Sequence, residues 1–309
     1  MYFVNIFLYW SCCFLCSLLW SKNKRNANQY WRIKLKSHMK LIDCFMYFDE
    51  DLILDIRLNT LNDYVDKFII AEANLDHAGH SKKLNFDIKK FLKFKNKITY
   101  IVVEDMPKEV SSEKKSWHPA HIRDQFQRNA LERGIKKYNN EDLIMISDID
   151  EIPNIKKLNE FNIRNRYACF IQKNFQLKLN RLNTSQPNWP GTKICQKKYL
   201  KSPQWLRNLK TKERKWWEFY KDKSPQIIFD GGWHFSFLKS PELIQKKINS
   251  FAHQEFNDEK FTNLESIKNR ISSNKDIFDR NYDYKKVEIN DSFPEYILKN
   301  RENFSDWII

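Results

Sequence analysis

Glycine is scarce in this chain, with only 5 in 309 residues, and prolines number 9. That shortage excludes low-complexity sequence and a long flexible linker, and no internal repeat is visible. Paired cysteines are also lacking. Of the 6 cysteines, Cys12, Cys13 and Cys16 sit in an apolar N-terminus, and Cys44, Cys169 and Cys195 are widely spaced. None forms a Cys-x-x-Cys pair, and three is the wrong number for a disulfide framework, so they read as reduced, mostly buried thiols. Acids are in deficit, 39 against 54 Lys and Arg, a net charge of +15. Such a balance favours polyanionic partners (nucleic acid, anionic lipid or phosphate-bearing substrates) without choosing among them. The excess of Lys, Asn, Ile and Phe also fits an AT-rich coding sequence. In so Asn-rich a chain, the sequons at Asn183, Asn290 and Asn303 are expected by chance.

What the sequence does have is apolar residues, 41% hydrophobic and 15% aromatic, enough for one large domain or two small ones with a substantial core. Residues 1–20 are nearly all apolar and about long enough to cross a bilayer. Seven basic residues (Lys22, Lys24, Arg25, Arg32, Lys34, Lys36 and Lys40) follow with no acid among them. A secretory signal or lumenal anchor carries such charges on its N-terminal side. The positive-inside rule therefore predicts a single-pass anchor with the rest of the chain in the cytoplasm, or at the cytoplasmic face of a membrane. The other reading is that translation starts at Met39. The expected division is 1–38, an apolar segment plus basic flank, and 39–309, a catalytic domain.

From Leu41 the pattern becomes regular. Leu41–Phe48, Val65–Ala71, Ile98–Val103 and Leu143–Ile146 read as buried strands, with helical spacing over Asp51–Leu61 and a long basic helix over Ala120–Tyr138. This alternation predicts an α/β fold, a mostly parallel central sheet flanked by helices, with ligands at the carboxyl ends of the strands. Glu72, Glu104, Asp105 and Asp148 fall at such ends. Tyr167–Leu179 reads as a further strand, 188–192 as a turn, Trp205–Lys223 as a basic, tryptophan-bearing segment, and Pro241–Phe261 as helical. The C-terminal stretch Asp291–Ile309 is short and aromatic and is expected to pack back on the core.

The fourth strand ends abruptly in Ser147-Asp148-Ile149-Asp150-Glu151-Ile152-Pro153. Mutual repulsion disfavours charging Asp148, Asp150 and Glu151 together unless a cation or solvent offsets it, and a divalent metal is the economical answer. The plainer reading is a solvated turn in which Asp150 or Glu151 caps the next helix. Farther on, Gly231-Gly232-Trp233-His234-Phe235-Ser236 leads two small residues into an aromatic run with one histidine.

These two segments resemble the signatures of glycosyltransferase family 17, whose vertebrate member adds the bisecting N-acetylglucosamine to N-glycans. Asp43-Cys44-Phe45 leading into Asp55-Ile56-Arg57-Leu58, Glu72-Ala73-Asn74 with Gly79 and Lys83, Arg128-Asn129-Ala130-Leu131, and Phe293-Pro294-Glu295-Tyr296 to Lys299-Asn300 agree as well. The likeness spans roughly 41–300, with the motifs in family order. It implies a GT-A-like fold and inverting transfer of a sugar, in that family N-acetylglucosamine from a UDP-sugar, with a divalent metal (Mn2+ or Mg2+). By the same resemblance the metal falls to Asp150, Asp148 and His234, and the donor to Glu72, Asn74, Arg128 and Asp148.

Each role has an alternative. Asp148 binds ribose or metal. His234 is a ligand or a core histidine, and Arg128 a phosphate contact or a helix salt bridge. Glu72 and Asn74 bind nucleotide or order their own loop. The acceptor's general base is open among Glu151, Glu213 and Glu218. Because the N-terminal charges oppose a lumenal topology, the expected acceptor is a surface glycan or glycolipid made in the cytoplasm, and the basic stretch can hold the enzyme to an anionic membrane.

Two other classes compete. A haloacid-dehalogenase-type hydrolase also carries Asp-x-Asp at a strand end, but on its first strand, with the first Asp as nucleophile; here three strands come before. A nucleic-acid-binding protein would explain the charge, but bases alternate with acids after position 41 and no recognised module is present, so no nucleic-acid partner is expected.

Overall fold

A computed structural model describes residues 39–108, 119–218, 220–250, 258–273 and 275–309. Leu41–Ile309 make up one unit. The N-terminal apolar segment and most of its basic flank lie outside the described residues, among which no helix is long and apolar enough to cross a membrane.

Four strands form the parallel half of the sheet: β1 (Leu41–Met46), β2 (Lys67–Ala73), β3 (Ile98–Val103) and β4 (Leu143–Ser147), in the order β3-β2-β1-β4. The apolar sequence of β1, β2 and β4 suits strands covered on both faces, while β3 at the edge is half-buried. Register is fixed by pairs such as Cys44 with Ile69 on one side and with Ile146 on the other. Helix α1 (Asp51–Leu61) links β1 to β2, and α2 (Pro119–Ala130) precedes β4. The long helix expected over Ala120–Tyr138 is broken. The chain turns at Leu131 into a short α3 (Glu132–Ile135), where Gly134 lies so close to β2 that a Cβ there would come within 2.8 Å of Ile69.

The second half departs from the expected parallel order. After a three-residue β5 (Glu151–Pro153) come β6 (Tyr167–Gln176), β7 (Arg181–Asn183) and β8 (Asn188–Gln196), and β8 returns antiparallel to both β6 and β4. Links of four residues between β6, β7 and β8 are too short for parallel crossovers, which need a dozen residues or more. With β9 (Gln226–Ile228), β10 (Gly232–Ser236) and β11 (Tyr284–Lys286), the described residues form one mixed eleven-stranded sheet whose ten pairings are half parallel and half antiparallel. Asn188–Thr192, expected as a turn, is instead the start of β8. Its Pro190 faces Ile171 where β6 shifts register, a position where a missing N–H is tolerated.

Helix α4 (Pro203–Asn208) is capped by the Ser202 side chain on the Trp205 N–H, with Pro203 at its first position. Helices α5 (Pro241–Ser250), α6 (Glu259–Thr262) and α7 (Leu264–Ser272) follow β10. Buried Ile244, Ile248, Ile267, Ile277 and Phe278 form a satellite core with Leu177. The C-terminal stretch, with α8 (Glu295–Lys299), packs back as expected: Phe293 meets Phe175, and the Tyr296 hydroxyl donates to Asp55. Cys44, Cys169 and Cys195 are buried free thiols, as read from their spacing.

Candidate active site

The acidic turn after β4 is held from behind by a buried arginine. Arg57 of α1 is wholly inaccessible and pairs through Nε and Nη2 with Asp43 of β1, at 2.7 and 2.6 Å. Its Nη1 donates to the carbonyl oxygens of Asp148, Ile149 and Glu151 at 3.1, 3.1 and 2.8 Å. One planar cation thus reaches three backbone carbonyls of the turn, alongside the Glu151 N–H on Asp148 and the Thr192 hydroxyl on Glu151. The turn is therefore a rigid ledge, and Glu151 opens a strand instead of capping a helix.

On this ledge the three acids divide. Asp148 lies between two guanidiniums, Oδ1 at 3.0 Å from Arg128 Nη2 and Oδ2 at 2.9 Å from Arg207 Nη2. Burial opposes its charge, but Arg207 and Arg128 outweigh it and hold the carboxyl well below the usual carboxylate range. Glu151 points inward and is fully buried. Its Oε1 accepts from Arg207 at 2.5 Å and from the Trp189 indole at 2.7 Å, and its Oε2 from the Asp148 N–H at 3.1 Å. Arg128 also bonds Asp124 and Gln204. The salt-bridge reading of Arg128 is the one the geometry shows, in an ion-paired arginine on the wall of the cleft.

Asp150 turns the other way. Its Oδ1 lies 3.8 Å from His234 Nε2 and its Oδ2 3.8 Å from Lys247 Nζ. The sheet brings this about, since His234 on β10 is level with Glu151 of antiparallel β5 and with Asn174 of parallel β6. Gly232 makes the approach possible: φ is +136°, and a Cβ there would stand 2.1 Å from the Ile152 carbonyl oxygen. His234 stacks on Trp189 with ring centroids 4.3 Å apart, and its Nδ1 is 3.1 Å from Asn174 Oδ1. Asn174 is oriented by its own Nδ2 donating to the Gln186 carbonyl. Its Oδ1 must accept, so Nδ1 carries a proton, and Nε2 is the ring nitrogen that faces Asp150.

A cleft of about 410 Å³ opens in front of the ledge. Met46, Tyr47, Phe48, Leu75, Asp76 and His77 line it from the ends of β1 and β2, with Asp124, Gln127 and Arg128 from α2, Asp148 and Asp150, Arg207 from α4, and Glu50 and Lys247. It lies at the carboxyl ends of the parallel strands, as open α/β sheets require. Burial raises the Glu50 carboxyl above its ordinary range. His234 is only 8% exposed and stands behind Asp150.

Several residues singled out in the sequence lie elsewhere. Glu72 is fully buried and accepts from Lys82, the Asn85 and Phe86 N–H groups and the Tyr100 hydroxyl, so it orders the loop after β2. Neither it nor Asn74 lines the cleft, where the following Leu75-Asp76-His77 stand instead. Glu104 and Asp105 are on the surface, Asp105 paired with Arg133. Glu213 and Glu218 belong to the 210–224 loop, with Glu218 bonded to the Lys215 N–H and to Lys221. Asp148, Asp150 and His234 do not converge as a three-ligand set. Among the described residues no three His, Cys, Asp or Glu side chains group to hold an ion by themselves, and Asp148 is committed to its two arginines. Asp148 is equally unsuited to the haloacid-dehalogenase role, because both of its oxygens are ion-paired and it follows the fourth strand of the chain.

Sequence reasoning missed Arg207, Lys247, Glu50, Asn174 and Trp189. Arg207 lay within a segment noted only as basic, and no local pattern marks the other four. The geometry sets three basic side chains, Arg128, Arg207 and Lys247, among the acids of one cleft, with a carboxylate and an imidazole facing each other beside it.

No curated protein matches the chain. The family model described as Glycosyltransferase family 17 matches residues 20–305, beginning ahead of Met39. It covers both Asp148–Pro153 and Gly232–Ser236, the two segments that the sheet sets side by side, and the chain belongs to glycosyltransferase family 17.

Proposed function

We propose that this glycosyltransferase is a metal-dependent inverting enzyme of GT-A-like fold. It transfers N-acetylglucosamine from a UDP-sugar to a glycan or glycolipid acceptor. The observation that carries the reading is the facing pair Asp150 Oδ1 and His234 Nε2, 3.8 Å apart beside a cleft walled by Arg128, Arg207 and Lys247. In this reading Asp150 and His234 would hold the divalent cation. The cation supplies Lewis-acid stabilisation of the leaving diphosphate.

The protein's own groups do the rest. Lys247 and the two arginines offset phosphate charge, while Asp148 and Glu151 hold those arginines in place. Inversion by single displacement needs a base for the acceptor hydroxyl. Glu50 has the features of one: it lines the cleft, burial raises its carboxyl above the usual range, and Oε2 is fixed by the Phe48 and Asp49 N–H groups while Oε1 makes no bond shorter than the 3.4 Å approach of Lys239. Glu151, with both oxygens bonded inside, is a positioning residue in this reading.

The test is release of UDP from UDP-N-acetylglucosamine with Mn2+ and a mixed glycan acceptor, preceded by a nucleotide-sugar screen for thermal stabilisation. Asp150→Ala should abolish release, and full turnover by that variant would refute the assignment. Residence at the cytoplasmic face of a membrane belongs to the same proposal, and an entirely soluble full-length protein in its native host would remove that part.

A further inference from the structure

Beyond offsetting phosphate charge, Lys247 stands between two acids of the cleft. It projects from α5, which is anchored by the fully buried Ile244 and Ile248, and its Nζ stands 3.6 Å from Glu50 Oε1 and 3.8 Å from Asp150 Oδ2. Neither distance is that of a direct hydrogen bond. Lys239, one turn before the helix, bonds Asp49 directly. The Lys247 side chain is 21% exposed and its ammonium packs over the Phe237 ring, so it has room to turn into the cleft it lines.

Asp150 therefore serves two cationic demands from its two oxygens: Lys247 at Oδ2, and at Oδ1 whatever shares that oxygen with His234. A divalent cation at Oδ1 feels an ammonium across the same carboxylate. An incoming diphosphate changes the balance, because it offers that ammonium a stronger anionic partner.

We propose that Lys247 is an exchangeable counter-ion of Asp150. Without nucleotide it competes with the divalent cation, and when a nucleotide diphosphate fills the cleft it turns to the phosphates and releases Asp150 to the metal. One side chain thus makes metal and nucleotide binding mutually reinforcing, and the coupling is reciprocal. The inference rests on the reading of Asp150 and His234 as the cation's ligands.

Binding of Mn2+ to the full-length protein, followed by the electron paramagnetic resonance of the free ion, tests this with and without UDP. Lys247→Met keeps the length of the stem and removes the charge; Lys247→Gln serves in its place should the Met variant melt below the assay temperature. Without UDP, the uncharged variant should bind Mn2+ at least ~10-fold more tightly than the wild type, within the usual range of couplings between sites. UDP should then strengthen Mn2+ binding less in the variant than in the wild type, while Lys247→Arg should behave as the wild type. Unchanged or weaker Mn2+ affinity without UDP, or an undiminished effect of UDP, overturns the exchange. Asp150→Ala and His234→Ala are run alongside. Unaltered Mn2+ affinity in both sinks the ligand reading itself, whereas its loss there with no gain in Lys247→Met sinks only the role of Lys247.

Discussion

Arg57 and Asp43 form a fully buried bidentate pair, at 2.7 and 2.6 Å, that fixes one guanidinium beneath the acidic turn. From there Arg57 reaches three points of that turn, the carbonyls of Asp148, Ile149 and Glu151. The aspartates at the cleft thus owe their positions to a helix and a strand more than 90 residues earlier in the chain. Arg57→Met leaves the Asp43 carboxylate uncompensated in the core and should cost roughly 3–5 kcal/mol in denaturant unfolding. Arg57→Lys should recover little of this, because an ammonium cannot match both the carboxylate and the carbonyl fan. A loss under 1 kcal/mol in either variant would mean that the pair is not the brace described.

Glu151 separates a positioning role from a chemical one. Glu151→Gln keeps an acceptor for the Trp189 indole but removes the charge opposite Arg207. Stability should fall by on the order of 3 kcal/mol, and nucleotide affinity should drop as Arg207 loosens. The pH dependence of the remaining turnover should be unmoved. A lost acidic limb in the kcat profile would instead make Glu151 the base, and Glu50→Gln is the variant expected to show that loss.

Asn174 fixes the imidazole of His234 without touching the cleft. Asn174→Leu removes the acceptor for Nδ1, so the proton is free to move to Nε2. Mn2+ affinity should weaken about 10–100-fold, the usual cost of losing such an outer partner. Full retention of Mn2+ affinity, measured by calorimetry, would exclude His234 as a ligand.

Acid should reveal Asp148. Its folded-state pKa is depressed by Arg207 and Arg128. The stabilisation it provides is therefore complete above the unfolded value of about 3.9 and is lost as the pH falls below it toward the folded value. In urea titrations between pH 5 and pH 2, Asp148→Asn should be less stable than the wild type at pH 5, with the two converging as the pH drops. Curves that stay parallel would show that Asp148 contributes nothing through its charge.

Gly232 is the fifth point of test. A Cβ at that position meets the Ile152 carbonyl oxygen at 2.1 Å with φ at +136°. Gly232→Ala should therefore cost more than ~2 kcal/mol and displace His234 two residues along, with loss of Mn2+ binding. Wild-type thermal stability and Mn2+ affinity would rule out the close approach of β5 and β10.

The parallel half of the sheet was legible because its strands are unbroken apolar runs: Ile98–Val103 and Asp51–Leu61 appear with the very bounds their patterns suggest. Asp148, Asp150 and His234 could be singled out, by charge repulsion at a strand end and by resemblance. Their division of labour could not, because it depends on arginines from α2 and α4 and on a lysine from α5 that meet only in three dimensions. The antiparallel return of β8 was hidden by Trp189-Pro190-Gly191, which reads locally as a turn. Glu72 shows the opposite failure, a strand-end acid that looked like a ligand but whose hydrogen bonds go to its own loop at Lys82, Asn85 and Phe86 and to Tyr100 on β3.

The pairing of β10 with β5 and β6 also has a kinetic meaning. His234 is 60 residues from Asn174, Arg57 is 92 from Ile149, and Lys239 is 190 from Asp49. Contacts of such sequence separation close late, after most of the chain has been synthesised and collapsed. A nascent or truncated chain ending after β8 would contain Asp150 but neither His234 nor Lys247. The facing Asp150 and His234 therefore come together only with the completed fold, and a partly folded chain holds neither that pair nor the cleft beside it.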